Sequence, residues 1–242
     1  MNIAALAKLF VLFINRTKSS DAYYSFQAFQ AQNIMEKIIL RLDLKTTDTV
    51  CDFGCGKGGY ANVLAQYFSK VDAVDFCADS RNPSTDAISF YECNLLEFAS
   101  ETPYDFIFCA SVIEHIAIQQ RQEFIQNIAA NLRVGGMLYL NFPPYLSLIG
   151  GHRVAPFHYF PDAIALRLAN MCKKGTMHPY ETMYGTWGLY KTYIDEIKQF
   201  LEDNHFTILE ISSRFMPQWY VWLFRHNNFF NWNVEFFAQK EL

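Results

Sequence analysis

Val50-Cys51-Asp52-Phe53-Gly54-Cys55-Gly56-Lys57-Gly58-Gly59-Tyr60 joins a short apolar run to a dense cluster of glycines. The run predicts a buried strand, and Ala61-Asn62-Val63-Leu64-Ala65 resumes at helical spacing. Residues without a Cβ let the chain turn tightly between the two and let a ligand approach the backbone. A strand, a glycine loop and a helix together form a nucleotide-binding unit. The spacing Gly54-x-Gly56-x-x-Gly59 satisfies the dinucleotide fingerprint. The carboxylates point elsewhere: a pyrophosphate wants a helix N-terminus with no carboxylate close by, yet Asp52 stands two residues before Gly54. Asp75 ends the next apolar run, 21 residues beyond Gly54, and suits a ribose under either reading. Lys57 would suit a phosphate, and a purely structural turn is the bland alternative.

Outward from this stretch the chain alternates strand and helix. Strands are expected at 48–53, 70–75, 88–93, 104–110 and 136–142, with helices at 59–68 and 117–132. The order predicts an α/β fold with a doubly wound, mostly parallel sheet. Residues Ser80 to Thr85 read as a loop holding at most a short helix, and Pro143-Pro144 stops the fifth strand. Further on, Ile194, Ile197, Phe200 and Leu201 mark a helix, followed by strands at 206–215 and 231–239. The loop between those two is too short for a helical crossover, so they are expected to pair antiparallel at the sheet edge. Before the glycine loop, Ala31, Ile34, Met35, Ile38, Ile39 and Leu42 recur at helical spacing and predict a helix covering one sheet face.

The 242 residues suit one sizeable domain with an insertion, and 51% hydrophobic with 17% aromatic residues supply a substantial core. A net charge of −4 without a long Lys/Arg run argues against nucleic acid as a partner. Cys51, Cys55, Cys77, Cys93, Cys109 and Cys172 sit mostly in apolar runs without Cys-x-x-Cys spacing, which predicts buried thiols in a cytoplasmic protein. The apolar segment 3–14 is too short to span a bilayer as a helix and lacks the features of a signal peptide. It is expected to pack on the domain or on a second subunit, with a membrane surface as the weaker alternative.

With these elements placed, the chain resembles the class I S-adenosylmethionine (SAM) methyltransferase superfamily, in its small-molecule, quinone and glycan branch. The resemblance rests on Asp52-x-Gly54-x-Gly56-x-Gly58, on the strand-ending Asp75, on the run from Tyr104 to Ile116 with its Glu114-His115 pair, and on Leu132-Arg133-Val134-Gly135-Gly136. In the last of these Val134 stands where the family has proline. What the resemblance implies is a Rossmann-like, seven-stranded sheet with an antiparallel last strand, SAM as cofactor, and methyl transfer to a small-molecule, glycan or lipid-linked acceptor, at oxygen. A nicotinamide oxidoreductase and a non-catalytic SAM-binding protein stay open as alternatives.

The same resemblance places cofactor contacts at Asp52, Gly54, Gly56, Gly58, Asp75, Phe76, Asn94, Leu95 and Ala110. Asn94 replaces an aspartate that relatives often offer to the adenine amino group, and its amide oxygen can still accept that bond. His115 follows the fourth strand on the ligand side and is the first candidate for a proton acceptor, against a plain pocket-shaping role. Alignment alone also accelerates a direct displacement, so a base is not obligatory.

Residues 143–190 are too long for an ordinary connection and are expected to cap the site of a domain spanning 31–242, behind an apolar helical segment at 1–30. Within the cap, His152 and His158 are reserve catalytic candidates, and no metal site is expected, because no third ligand stands at a recognisable spacing. Arg153, Arg167, Lys173 and Lys174 against Asp162 and Glu181 leave a small positive excess, read as a solvated face. Finally, Trp219-Tyr220-Val221-Trp222-Leu223-Phe224 and Phe229-Phe230 crowd a connection where polar residues are usual. A folded-over internal core is the first expectation there, then a homodimer interface, then membrane contact.

Overall fold

The computed structural model describes residues 3–16, 18–76, 86–172, 189–214 and 216–242. The expectations at Cys77, Ser80 to Thr85, Lys173, Lys174, Glu181 and Phe215 therefore lie outside the described residues.

Two helices come first. Helix α1 (Ile3–Asn15) packs on α2 (Ser20–Leu42), with Phe13 and Phe26 ring centroids 6.0 Å apart and the Lys8 ammonium 4.8 Å from the Phe29 ring. Segment 3–14 thus lies on the domain as expected, although Phe10, Val11 and Ile14 remain exposed. Ser19 caps α2 by accepting from the Ala22 N–H at 3.1 Å, and Asp43 ends it in a left-handed conformation. The buried stripe Ala31, Ile34, Met35, Ile38 and Leu42 follows the predicted spacing, with Ile39 half-buried beside it. Each fully buried Ile contributes about 1.5–3 kcal/mol.

The sheet then builds through β1 (Val50–Phe53), α3 (Gly59–Leu64), β2 (Val71–Asp75), β3 (Ile88–Glu92), β4 (Tyr104–Ala110), α4 (Arg121–Asn131), β5 (Leu132–Phe142), α5 (Asp162–Cys172), α6 (Ile194–Asp203), β6 (Phe206–Ser213), α7 (Gln218–Phe224) and β7 (Val234–Lys240). Strand order is β3-β2-β1-β4-β5-β7-β6, parallel except for β7. Strand-to-strand progression reverses between β1 and β4, so the crevice beyond their carboxyl ends is the ligand position of such a sheet.

Side chains alternate between two cores. Ile107 and Cys109 of β4 join Phe124, Ile128, Ile197 and Leu201 on the α4 and α6 face, whereas Phe106, Phe108 and Ala110 join Ile34, Ile38, Tyr60 and Val63 on the α2 and α3 face. Both faces are covered, which explains why the central strands read as unbroken apolar runs.

Several elements differ from expectation in their bounds or placement. Helix α3 ends at Leu64 instead of 68. Helix α4 starts at Arg121 because short 3₁₀ turns at Ile113–His115 and Ile118–Gln120 intervene. Strand β5 begins four residues early, and Gly135-Gly136 lies inside it as a bulge: Tyr104 pairs with Leu132 but Phe106 with Met137. Strand β7 inserts between β5 and β6, so β6 is the edge, and the connection expected to be a plain loop carries α7. The predicted antiparallel pairing of β6 with β7 is present.

Buried polar groups tie the end of β6 to the interior. Arg214, fully buried, donates to Gln30 Oε1 at 2.6 Å, Tyr60 OH at 3.1 Å, Tyr139 OH at 3.0 Å and Asn141 Oδ1 at 3.1 Å, while Tyr139 donates to Glu235 at 2.8 Å. Arg121 likewise binds Thr192 Oγ1 and Glu196, both at 2.8 Å, anchoring α4 to the chain leading into α6. Among the described residues no helix is long and apolar enough to cross a membrane.

Candidate functional site

Strand β1 delivers the chain into the glycine loop, whose shape is imposed by what lies against it. Gly54 has φ +93°, and a Cβ there would stand 2.3 Å from Val112 Cγ2. Gly59 has ordinary φ, but its Cβ would meet Gln27 Cβ and the Tyr24 carbonyl oxygen, both at 2.6 Å. The loop is thus clamped between α2 and the segment after β4, which is why neither position admits a side chain.

At the end of β2, Asp75 Oδ2 accepts from the Gly56 N–H at 2.9 Å, joining loop and strand end into one rim. Phe76 follows with its ring 76% exposed, an uncovered apolar face of the kind a purine stacks on. Asn94 lies in the turn after β3, exposed; its Oδ1 accepts from the Leu96 N–H at 3.1 Å and its Nδ2 donates to Glu97 at 3.2 Å. The oxygen keeps a second lone pair and can still accept a further hydrogen bond. Leu95 is buried, and Asn127 of α4 donates to its carbonyl.

Asp52 is placed differently from the expectation that it faces a ligand directly. It is buried behind the loop, 1% exposed, and neither carboxylate oxygen makes a hydrogen bond. Burial first, and the charge of Asp75 second, push its carboxyl well above the usual range. A buried, unpartnered carboxylate fits a site built to receive a cationic, donor-rich group; a bare pyrophosphate would find it repulsive.

After Ala110, which is buried, Ser111 takes φ +56° and donates its N–H to Asn141 O at 2.9 Å. The turn Ile113–His115 follows, bringing up Glu114 buried and His115 exposed. Both Glu114 oxygens and His152 Nε2 lack hydrogen-bond partners, and Nε2 lies 3.7 Å from Glu114 Oε1. The His115 and His152 rings meet edge-on, centroids 5.4 Å apart. His152 also has φ +49°, so Ser111 and His152 are both non-glycine residues in the left-handed region.

Burial works against charge on both partners. It raises the Glu114 carboxyl, against the pull of His115, Arg121 and Arg214, and it pushes His152 down to about 3, helped by His115, Arg16 and His158. Burial thus leaves the His152 ring neutral, with Nε2 beside the Glu114 carboxyl but not hydrogen-bonded to it. Ligand atoms of Glu114, His115 and His152 all lie within 4.8 Å of one another, a spacing that could hold a metal ion and that only the tertiary fold creates.

His158 occupies another position. It is fully buried, with Nε2 3.1 Å from the Ser147 carbonyl oxygen and its ring 4.0 Å from that of Tyr159; it anchors the chain around Tyr145 and Ser147. A Cβ on Gly151 would strike its ring at 2.3 Å. The described part of the expected cap, 143–172, carries a small core of its own, with Val154, Ala165 and Ala169 buried against Phe157 and Leu166.

Two contributors escaped the sequence reading. Gln27 of α2 bridges the glycine loop, accepting from Gly59 N–H at 3.2 Å and donating to Cys55 O at 3.4 Å. Tyr23, one turn earlier, approaches Gly56 and has its hydroxyl pushed up to about 12 by burial, then by Tyr60 and Glu114. Their signal was present as polar residues, Gln27 and Gln30, on the buried stripe of α2. Surface hollows of about 550 Å³ along β6 and 450 Å³ at the amino ends of β1 and β2 lie away from all these groups.

Comparison with known proteins agrees with this geometry. A profile described as a methyltransferase domain matches residues 26–233. The chain is similar to the ubiquinone biosynthesis O-methyltransferase of Rickettsia felis, 29% identical over 134 residues, covering 52% of this chain and 54% of that protein. It spans about half the length of the curated relatives it matches. In structure it resembles an S-adenosylmethionine-dependent methyltransferase of Clostridium acetobutylicum, with TM-score 0.59, 11% identity, and coverage of 88% of this chain and 91% of the other. It also resembles the 1,6-didemethyltoxoflavin-N1-methyltransferase of Burkholderia thailandensis, with TM-score 0.57, 17% identity, and coverage of 99% and 88%. These likenesses support the seven-stranded fold, and the family match gives no support to the nicotinamide oxidoreductase reading.

Proposed function

We propose, for a chain that belongs to the methyltransferase-domain family, a SAM-dependent methyl transfer to an oxygen of a small-molecule, glycan or lipid-linked acceptor. The observation that carries this reading is the buried carboxylate of Asp52, unpartnered behind a glycine loop whose other rim is Asp75. When bound, the cofactor supplies a methyl group made electrophilic by its sulfonium. Asp75 would hold the ribose hydroxyls, Phe76 and Leu95 would line the adenine, Asn94 would receive its amino group, and Asp52 would complement the positive charge.

On the acceptor side, the neutral His152 ring, 3.7 Å from Glu114 Oε1 and flanked by exposed His115, takes the proton that the acceptor hydroxyl releases as its oxygen attacks. The segment 143–160 brings His152 against the turn Ile113–His115. Similarity to ubiquinone biosynthesis O-methyltransferases favours a ubiquinone precursor with a free hydroxyl as one acceptor class to try. A cytoplasmic setting accords with the buried thiols of Cys51 and Cys109.

The test is an acceptor screen with methyl-labelled SAM across phenolic quinone precursors, glycans and amines. Label transferred to hydroxyls, and lost in the His115→Ala/His152→Ala double variant, supports the proposal. Label on amines only would overturn the oxygen assignment, and no label on any acceptor would overturn the catalytic one in favour of a non-catalytic cofactor-binding protein.

A further inference from the structure

Helix α7 is inverted. A surface helix ordinarily turns its apolar residues inward, yet here only Val221 is buried, while Trp219, Trp222 and Leu223, spaced to share one face, are 65%, 72% and 54% exposed. The expected internal core at this position is therefore not what forms. An aromatic row, exposed except where Tyr220 and Phe224 are half-buried, continues from that face: Trp219 to Tyr220 at 5.8 Å, Tyr220 to Phe224 at 4.8 Å, Phe224 to Phe230 at 4.7 Å, Phe230 to Phe229 at 5.2 Å and Phe229 to Tyr159 at 6.1 Å between centroids. The row ends on the 143–160 segment that carries His152, where Leu148 and Phe160 are also exposed.

We propose that this face, formed by α7, residues 229–232 and the turn around Tyr159, seats on a lipid bilayer with anionic headgroups. Two observations select that occupant. Trp and Tyr combine an apolar body with a polar tip, the composition suited to the bilayer interface. Residues 216–232 contain no Asp or Glu and carry the cation Arg225, which donates to a neutral His226, in a chain of net charge −4. Such a face complements anionic headgroups, whereas pairing with its own image would bring like charges together. Docking there would set the crevice beside the membrane, where an acceptor with an apolar tail resides; that last step rests on the function proposed above, but the docking does not.

Flotation of the full-length chain with vesicles of phosphatidylcholine, alone or with 30 mol% phosphatidylglycerol (about one anionic lipid in three,), tests it without cofactor or acceptor, so its failure is separate from a failure of methyl transfer. The wild type is expected to float with the anionic vesicles, with tryptophan emission quenched by brominated acyl chains. The exposed double substitution Trp222→Glu/Leu223→Glu, with unchanged circular dichroism, is expected to weaken binding about tenfold or more. Arg225→Glu is expected to reduce the preference for anionic vesicles. Absence of flotation, undiminished flotation of the double variant, or a dimer by light scattering that the double variant alone dissolves would each overturn the proposal.

Discussion

Asp75 Oδ2 accepts the Gly56 N–H at 2.9 Å, so the end of β2 and the tip of the glycine loop move as one rim around the crevice. Substituting Asp75→Ala removes both this latch and the ribose acceptor. The loss is expected to cost about 1–3 kcal/mol of SAM affinity, read by calorimetry, while NAD binds weakly or not at all to either protein. Tight NAD binding with no SAM binding in the wild type would sink the cofactor assignment.

Asp52→Asn separates stability from binding. A carboxyl whose folded pKa is raised holds its proton more tightly when folded, so its favourable contribution is complete below about pH 4 and is lost as pH rises toward the folded value. The raised Asp52 therefore costs the ligand-free protein stability at neutral pH. The amide is expected to melt higher at pH 7 to 8, to lose that advantage near pH 4, and to bind SAM more weakly. A variant that melts lower at neutral pH and binds SAM as before would contradict this.

His152 and His115 are expected to divide the chemistry. Replacing the proton acceptor lowers turnover about 10²- to 10⁴-fold with SAM affinity near wild type; the geometry of the Glu114 pair assigns the larger loss to His152→Ala. The folded His152 pKa of about 3 lies below the unfolded value of 6.5, so the unfolded chain binds the extra proton, and stability falls as pH drops from about 6.5 toward 3. His152→Gln is expected to flatten that acid limb in thermal melts. Full turnover in both single variants would leave alignment alone as the source of rate.

Gly54→Ala tests the clamp on the loop. Its Cβ would collide with Val112 Cγ2 at 2.3 Å in a left-handed backbone, so the single variant is expected to lose about 2–4 kcal/mol in denaturant unfolding. Adding Val112→Ala is expected to return part of that loss, the steric part, leaving the backbone strain. No recovery in the double variant would mean that Val112 is not the clamp.

Much of the fold was legible because local pattern carries it. The bounds of β4 and the stripe of α2 read directly from apolar spacing, and the glycine loop from residues that tolerate left-handed backbone. Asp75 and Phe76 could be placed at the rim because a strand's end in a parallel sheet is also the ligand's side. What the sequence by itself could not determine were meetings between distant segments. Glu114 and His152 share no helix or strand, and Gln27 reaches Cys55 and Gly59 only once α2 lies on the loop. The direction faced by α7 was equally hidden. An apolar helix reads the same whether it turns toward a core or away from one, and only the packing of β7 between β5 and β6 left Trp219 and Trp222 with nothing inside to cover them. Periodicity records which side chains share a face, and tertiary packing alone decides what that face meets.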